Sequence, residues 1–282
     1  MHPALPLLLL LTAAPDRVRY SKPEGPAEPT PESVALVRWQ AGDRAFIAVD
    51  EANLRSAASA VAPALARLAM GSTVQVVRAH GEPVREQDRV DLWYEVTVGA
   101  QKGFVFGNVL TPFAFVDDLD GDAEKEIATV AMTADFKIRV RVLDPSVTGT
   151  SRVTWLDLEP TGGAYVSRTG GDAVAALVPK AQAGASLVRV EASVEACADY
   201  RHSWVSYTAT AGKLGALKVA LQESGLSDPP VTAEFKVKFS PGKAVVVRTS
   251  QNDEEEGAGQ TTTARFTLKD GVFVEDKAPA KR

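Results

Sequence analysis

Several stretches of the chain alternate apolar and polar residues with period two. Ile138, Val140 and Val142 are separated by Arg139 and Arg141, and Val188, Val190, Ala192 and Val194 by Arg189, Glu191 and Ser193. Phe235, Val237 and Phe239 are separated by Lys236 and Lys238, and Ala264, Phe266 and Leu268 by Arg265 and Thr267. Successive side chains of a strand point to opposite faces, so this period predicts sheets with one wet face. Lys269-Asp270-Gly271-Val272 supplies an Asp-Gly hairpin turn, and Gly212 and Gly242 mark two more turns. Residues 113–276 therefore read as one β-rich unit of roughly ten short strands, a sandwich or a propeller-like fan. A short helix is expected from Asp172 as cap to Val178, stopped by Pro179.

The N-terminal part has strands of a different texture. Residues 45–49, 73–77 and 93–98 are rich in β-branched and aromatic residues, which suit a half-buried pleated surface. Gly71, Gly99 and Gly103 punctuate them, as tight corners require. Residues 57–70 are alanine-rich and helical by propensity, but Pro63 would break a helix in the middle. That segment reads as an irregular loop with one helical turn over residues 64–69.

Composition narrows the function classes. The 282 residues suffice for two domains, and 45% hydrophobic with 24% charged residues is ordinary for a globular protein. A formal charge of -5 without a Lys/Arg cluster argues against nucleic acid as a partner. The single cysteine, Cys197, rules out a disulfide within the chain, and three histidines leave little material for acid–base or zinc chemistry. Residues 5–14 form an apolar run of signal-peptide length, too short to span a bilayer, so residues 1–14 read as a signal peptide and the location as periplasmic or secreted. Pro23, Pro26, Pro29 and Pro31 among charged residues make 15–33 an extended linker, and 277–282 a tail.

Four marks in order give residues 53–110 a recognisable character. They are Asn53-Leu54-Arg55-Ser56, then Leu68 with Gly71 and the strand 73–77, then Trp93-Tyr94-Glu95-Val96, then Lys102-Gly103-Phe104-Val105 with Asn108-Val109-Leu110. Together they resemble a bacterial SH3-like domain of the cell-envelope kind. The resemblance implies an all-β fold, with a small SH3-like barrel over 34–112 ahead of the larger β unit over 113–276. It also implies binding of a peptidoglycan peptide or an envelope protein. Aromatic side chains would hold the peptide; Tyr94 and Asn108 are the groove candidates, with Trp93 and Phe104 either joining them or filling the barrel core.

An acidic loop follows at once. Asp118, Asp120, Asp122 and Glu126 stand at loop positions one, three, five and nine, with Gly121 permitting the turn. Alternate carboxylates in a tight loop converge on one point, and calcium takes six to eight such hard oxygens. The loop resembles those of FG-GAP/VCBS-type β-propeller repeats, which implies a calcium site, although its sixth position is Ala123 where those repeats often have glycine. It is not an EF-hand, since the twelfth position is Thr129 instead of a bidentate carboxylate. The bland alternative is a solvated Asp-Gly turn.

For catalysis the chain offers only Cys197 and His202 as a nucleophile–base pair, and no Gly-x-Ser-x-Gly elbow, phosphate loop or His-Glu-x-x-His. The expectation is a non-catalytic exported envelope-binding protein without an integral membrane segment in its mature chain. The alternative is a hydrolase or enzyme inhibitor with its active element in the β unit.

Overall fold

Pairing of the alternating segments produces a nearly all-β architecture in the computed structural model, which describes residues 39–86, 89–133, 137–147, 152–159, 175–193, 200–210, 213–228, 230–252 and 259–276. The apolar N-terminal run, the proline-rich stretch, Asp172, Val194, Cys197, Gly212 and the tail from residue 277 lie outside the described residues. Within them, the strands form three sheets with antiparallel pairing throughout.

The first sheet contains β1 (Arg44–Ile47), β2 (Glu51–Arg55), β3 (Ala64–Ala69), β4 (Thr73–Glu86), β5 (Arg89–Val98), β6 (Gln101–Phe106) and, after a 3-10 turn at Gly107–Val109, β7 (Leu110–Thr111). Their order, β3-β2-β6-β5-β4-β1-β7, curls the sheet into a half-barrel. Ile47, Leu54, Val74, Val76, Val96, Val105 and Leu110 fill it, each buried. The helical turn expected over 64–69 is instead strand β3. Its backbone pairs with β2 from Glu51↔Ala69 to Arg55↔Ala64, and these ladder bonds outweigh alanine's local preference for helix. Pro63 stands just before the strand, where a missing N–H costs nothing.

The second sheet, β8 (Phe113–Asp117), β9 (Glu126–Met132), β10 (Ile138–Leu143) and β11 (Val153–Leu158), has the order β11-β10-β9-β8. The third is a meander in which each strand lies beside the next in sequence: β12 (Ala175–Val178), β13 (Leu187–Ser193), β14 (Tyr200–Thr210), β15 (Lys213–Asp228), β16 (Val231–Ser240), β17 (Lys243–Asn252), β18 (Gln260–Lys269) and β19 (Val272–Glu275). Residues 175–178 are thus strand where the sequence predicts the tail of a helix. Pro179 does not stop a helix but caps the start of the one-turn helix α1 (Lys180–Ala183), as suits its fixed φ. Asp270 and Gly271 both take positive φ between β18 and β19, the geometry of the expected hairpin turn.

The alternation read from the sequence decides which side chains go inside. Val130, Ile138, Val140 and Val142 of the second sheet meet Val188, Val190, Val205 and Tyr207 of the third in one buried cluster, which continues into the half-barrel. Trp204 packs in a second cluster with Leu221, Val246 and Phe266, while Trp155 is exposed on its sheet face beneath the Arg139 guanidinium.

Only Pro112 separates β7 from β8, and the half-barrel rests directly on the second sheet. The Thr129 hydroxyl donates to the Ala48 carbonyl at 2.9 Å, and the Thr111 hydroxyl to the Val130 carbonyl, all of these residues being buried. Gly71 has φ +78, and a Cβ there would come within 2.6 Å of the Ile127 Cγ2, so the close approach depends on glycine twice over.

Candidate functional site

A groove of about 230 Å³ opens on the half-barrel between β2, β5 and the 3-10 turn. Trp93 and Phe106 are neighbours across β5 and β6, with ring centroids 5.3 Å apart, and both line it. Asn53, Arg55 and Asn108 add hydrogen-bonding groups, and Glu51 and Glu86 add carboxylates. Arg55 is fixed by donating to the Ala62 carbonyl at 2.7 Å, and Glu51 pairs with Arg67 at 2.8 Å. The turn beneath this wall depends on Gly107, since a Cβ there would lie 2.4 Å from the buried Asp91 carboxylate. The Trp93 indole N–H is buried with no acceptor among the described residues.

The expected groove residues separate by strand parity. Trp93 and Asn108 line the groove. Tyr94, one residue on, faces the other way: its ring is wholly buried in the barrel core and its hydroxyl accepts the Trp39 N–H at 3.3 Å. Phe104 shares Trp93's face of the sheet but lies beyond the groove, edge-on to His80 at 5.2 Å. Nothing in the sequence singles out Glu51, Glu86 or Phe106; Phe106 follows once Trp93 is placed, because the two strands pair there.

The second constellation is the acidic loop between β8 and β9. Carboxylate oxygens of Asp118, Asp120 and Glu126 lie within 4.8 Å of one another, a group able to hold a metal ion. The loop's own amides shape it: Gly121 N–H donates to Asp118 at 2.6 Å and Asp122 N–H to Asp120 at 3.1 Å. Asp122 does not join the group, its carboxylate accepting the Glu124 N–H at 2.8 Å on the exposed side. Ala123 takes φ 75, so the sixth loop position does adopt the left-handed geometry that favours glycine.

Glu126 is the buried end of this group. It is fully inaccessible to solvent; one oxygen accepts the Leu119 N–H at 2.6 Å and the other, Oε1, has no partner among the described residues. Burial, followed by the nearby charges of Asp120 and Asp144, pushes its carboxyl up to about 7. Burial likewise raises Asp120. A cation would relieve both costs, since hard carboxylate oxygens suit calcium or magnesium.

His202, half of the alternative catalytic pair, has its ring 3.1 Å from Glu191 and packed among Tyr200, Trp204 and Phe235. Its would-be partner Cys197 lies outside the described residues. Among the described residues, no helix is long and apolar enough to cross a membrane.

Residues 50–111 match the family model of the bacterial SH3 domain. No curated protein and no solved structure matches the chain. The rest of the chain is β-rich without a family assignment. Domains of this family typically bind cell walls, commonly through wall peptides.

Proposed function

We propose that this is a non-catalytic, exported envelope-binding protein whose SH3 domain takes an extended peptide, from the wall or from a protein partner, into the groove over Trp93. The observation that carries the reading is the groove itself, where the Trp93 and Phe106 rings stand 5.3 Å apart beside the amide side chains of Asn53 and Asn108. Aromatic walls with a few polar groups suit an extended peptide. Asn53 and Asn108 suit a peptide backbone, having donor and acceptor on one side chain. Glu51 and Glu86 favour a ligand carrying a free amino group, as wall stem peptides with a diamino acid do.

Calorimetric titration of the full chain with soluble stem peptides, and co-sedimentation with purified wall, test this. Trp93→Phe shrinks the aromatic wall of the groove, so it should weaken binding about two- to tenfold, as a loss of about 0.5–1.5 kcal/mol of aromatic contact requires. Asn108→Ala should act similarly. Equal affinity in both variants, with unchanged melting temperatures, removes the groove from consideration.

The β unit in this reading is stabilised by calcium at Asp118, Asp120 and Glu126, with a structural role. Three converging carboxylates, one of them buried with a free oxygen, support that assignment. At a hundredfold excess over its dissociation constant the ion would stabilise the fold by about 2.7 kcal/mol. A melting temperature indifferent to millimolar calcium and to chelator would falsify it.

A further inference from the structure

The cation site has a second half that the loop's spacing does not contain. Strand register places it: Asp117 pairs with Glu126, and Leu143 pairs with Ile127, so Asp144, the next residue, stands beside Glu126 on the neighbouring strand. Asp144 is 1% exposed and Glu126 is fully buried, so two inaccessible carboxylates lie side by side. Such a pair is costly without a cation.

Asp144 differs from Glu126 in being fully partnered. One oxygen accepts the Ser146 N–H at 2.9 Å and the Ser146 hydroxyl at 2.6 Å; the other accepts the Tyr207 hydroxyl at 2.7 Å. The Tyr207 oxygen accepts the Gly215 N–H at 2.9 Å, which fixes the phenol in turn. Each of these donors to Asp144 favours a carboxylate over a carboxylic acid. Tyr207 belongs to β14 and Gly215 to β15, both in the third sheet. One more contact crosses at the same place: the Ser186 hydroxyl donates to Asp117 at 2.7 Å.

We infer that Asp144 and Tyr207 are positioning residues of the cation site: Asp144 supplies a fixed buried negative charge behind Glu126, Tyr207 orients it, and a bound divalent cation thereby ties the acidic loop to the third sheet. The inference rests on the cation reading of the loop. Asp144 acts through its charge, because three donors already engage its oxygens. Outer-shell partners of this kind typically change metal affinity about 10–100-fold.

Calcium titrations of the full chain, alongside Asp120→Ala, Asp144→Asn, Tyr207→Phe and Ser146→Ala, test it. Melts of each variant in chelator report the fold independently of the ion. The expected result is that Asp144→Asn and Tyr207→Phe each weaken calcium binding about tenfold. If Tyr207→Phe fails to fold, Ser146→Ala decides, since it removes one donor to Asp144 from a half-buried turn. Loss of binding in Asp120→Ala with unchanged affinity in Asp144→Asn and in the folded donor variants overturns the inference and leaves the loop site standing. No calcium binding by the parent overturns both.

Discussion

Thr129→Val perturbs the join between the half-barrel and the second sheet at one atom. The side chain is wholly buried, and its hydroxyl donates across the join to the carbonyl of Ala48, also wholly buried, at 2.9 Å. Valine has nearly the same shape, so the change removes the bond and leaves an acceptor without water or partner. That costs about 1–3 kcal/mol, which for a chain of this size lowers the melting temperature by about 2–12 °C. Thr129→Ser keeps the donor and deletes one buried methyl, worth about 0.8 kcal/mol. Differential scanning calorimetry of the three proteins separates the two contributions, with valine expected to melt below serine. If valine melts within a degree of the parent while serine falls, the bond does not join the two parts and packing alone does. A second, separate transition appearing only in the valine variant would show the half-barrel released to melt by itself.

Two further outcomes are expected from the loop. Ala123→Gly places glycine where the backbone already has φ 75, and should raise stability in chelator by up to about 1 kcal/mol, read as an upward shift in melting temperature; a downward shift would mean that the alanine side chain contributes packing. Glu126, at about 7 in the fold against 4.5 as its ordinary value, binds more protons folded than unfolded between those limits. In chelator the parent should therefore lose stability as pH rises from about 4.5 to about 7, relative to Glu126→Gln, while excess calcium flattens the loss; parallel pH profiles for the two proteins in chelator would refute the shift.

Legibility in the sequence follows the number of independent signals at each place. Strand β5 alternates: Val90, Leu92, Tyr94, Val96 and Val98 share one face, and Asp91, Trp93, Glu95 and Thr97 share the other. That parity by itself turns Tyr94 inward with the apolar set and puts Trp93 on the polar face, whereas the family resemblance made Tyr94 a groove candidate. Residues 64–69 and 175–178 carry local preferences for helix, and the partner strands that overrule them lie elsewhere in the chain. In the acidic loop, spacing identifies Asp118, Asp120 and Glu126, while Asp122 is drawn off by a local amide that spacing does not reveal. Asp144 lies 18 positions beyond Glu126 and enters only through the register of β9 with β10. The groove carboxylates Glu51 and Glu86 are ordinary surface residues in sequence, brought together by the curl of the sheet.

The order of strands in the half-barrel has a consequence for how the chain emerges during synthesis. Strand β1 is held on one side by β4 and on the other by β7, the last two residues before Pro112. Until residue 111 has left the ribosome, one edge of β1 has no partner, and an open edge is a template for pairing with other chains. Closure also spans roughly sixty residues of intervening chain, a slow kind of contact to make. The third sheet has no such wait, since each of its strands finds its neighbour as soon as the next hairpin appears. The hazardous interval in the life of this polypeptide thus falls early, and the nascent chain passes through it before the larger and more locally wired half exists.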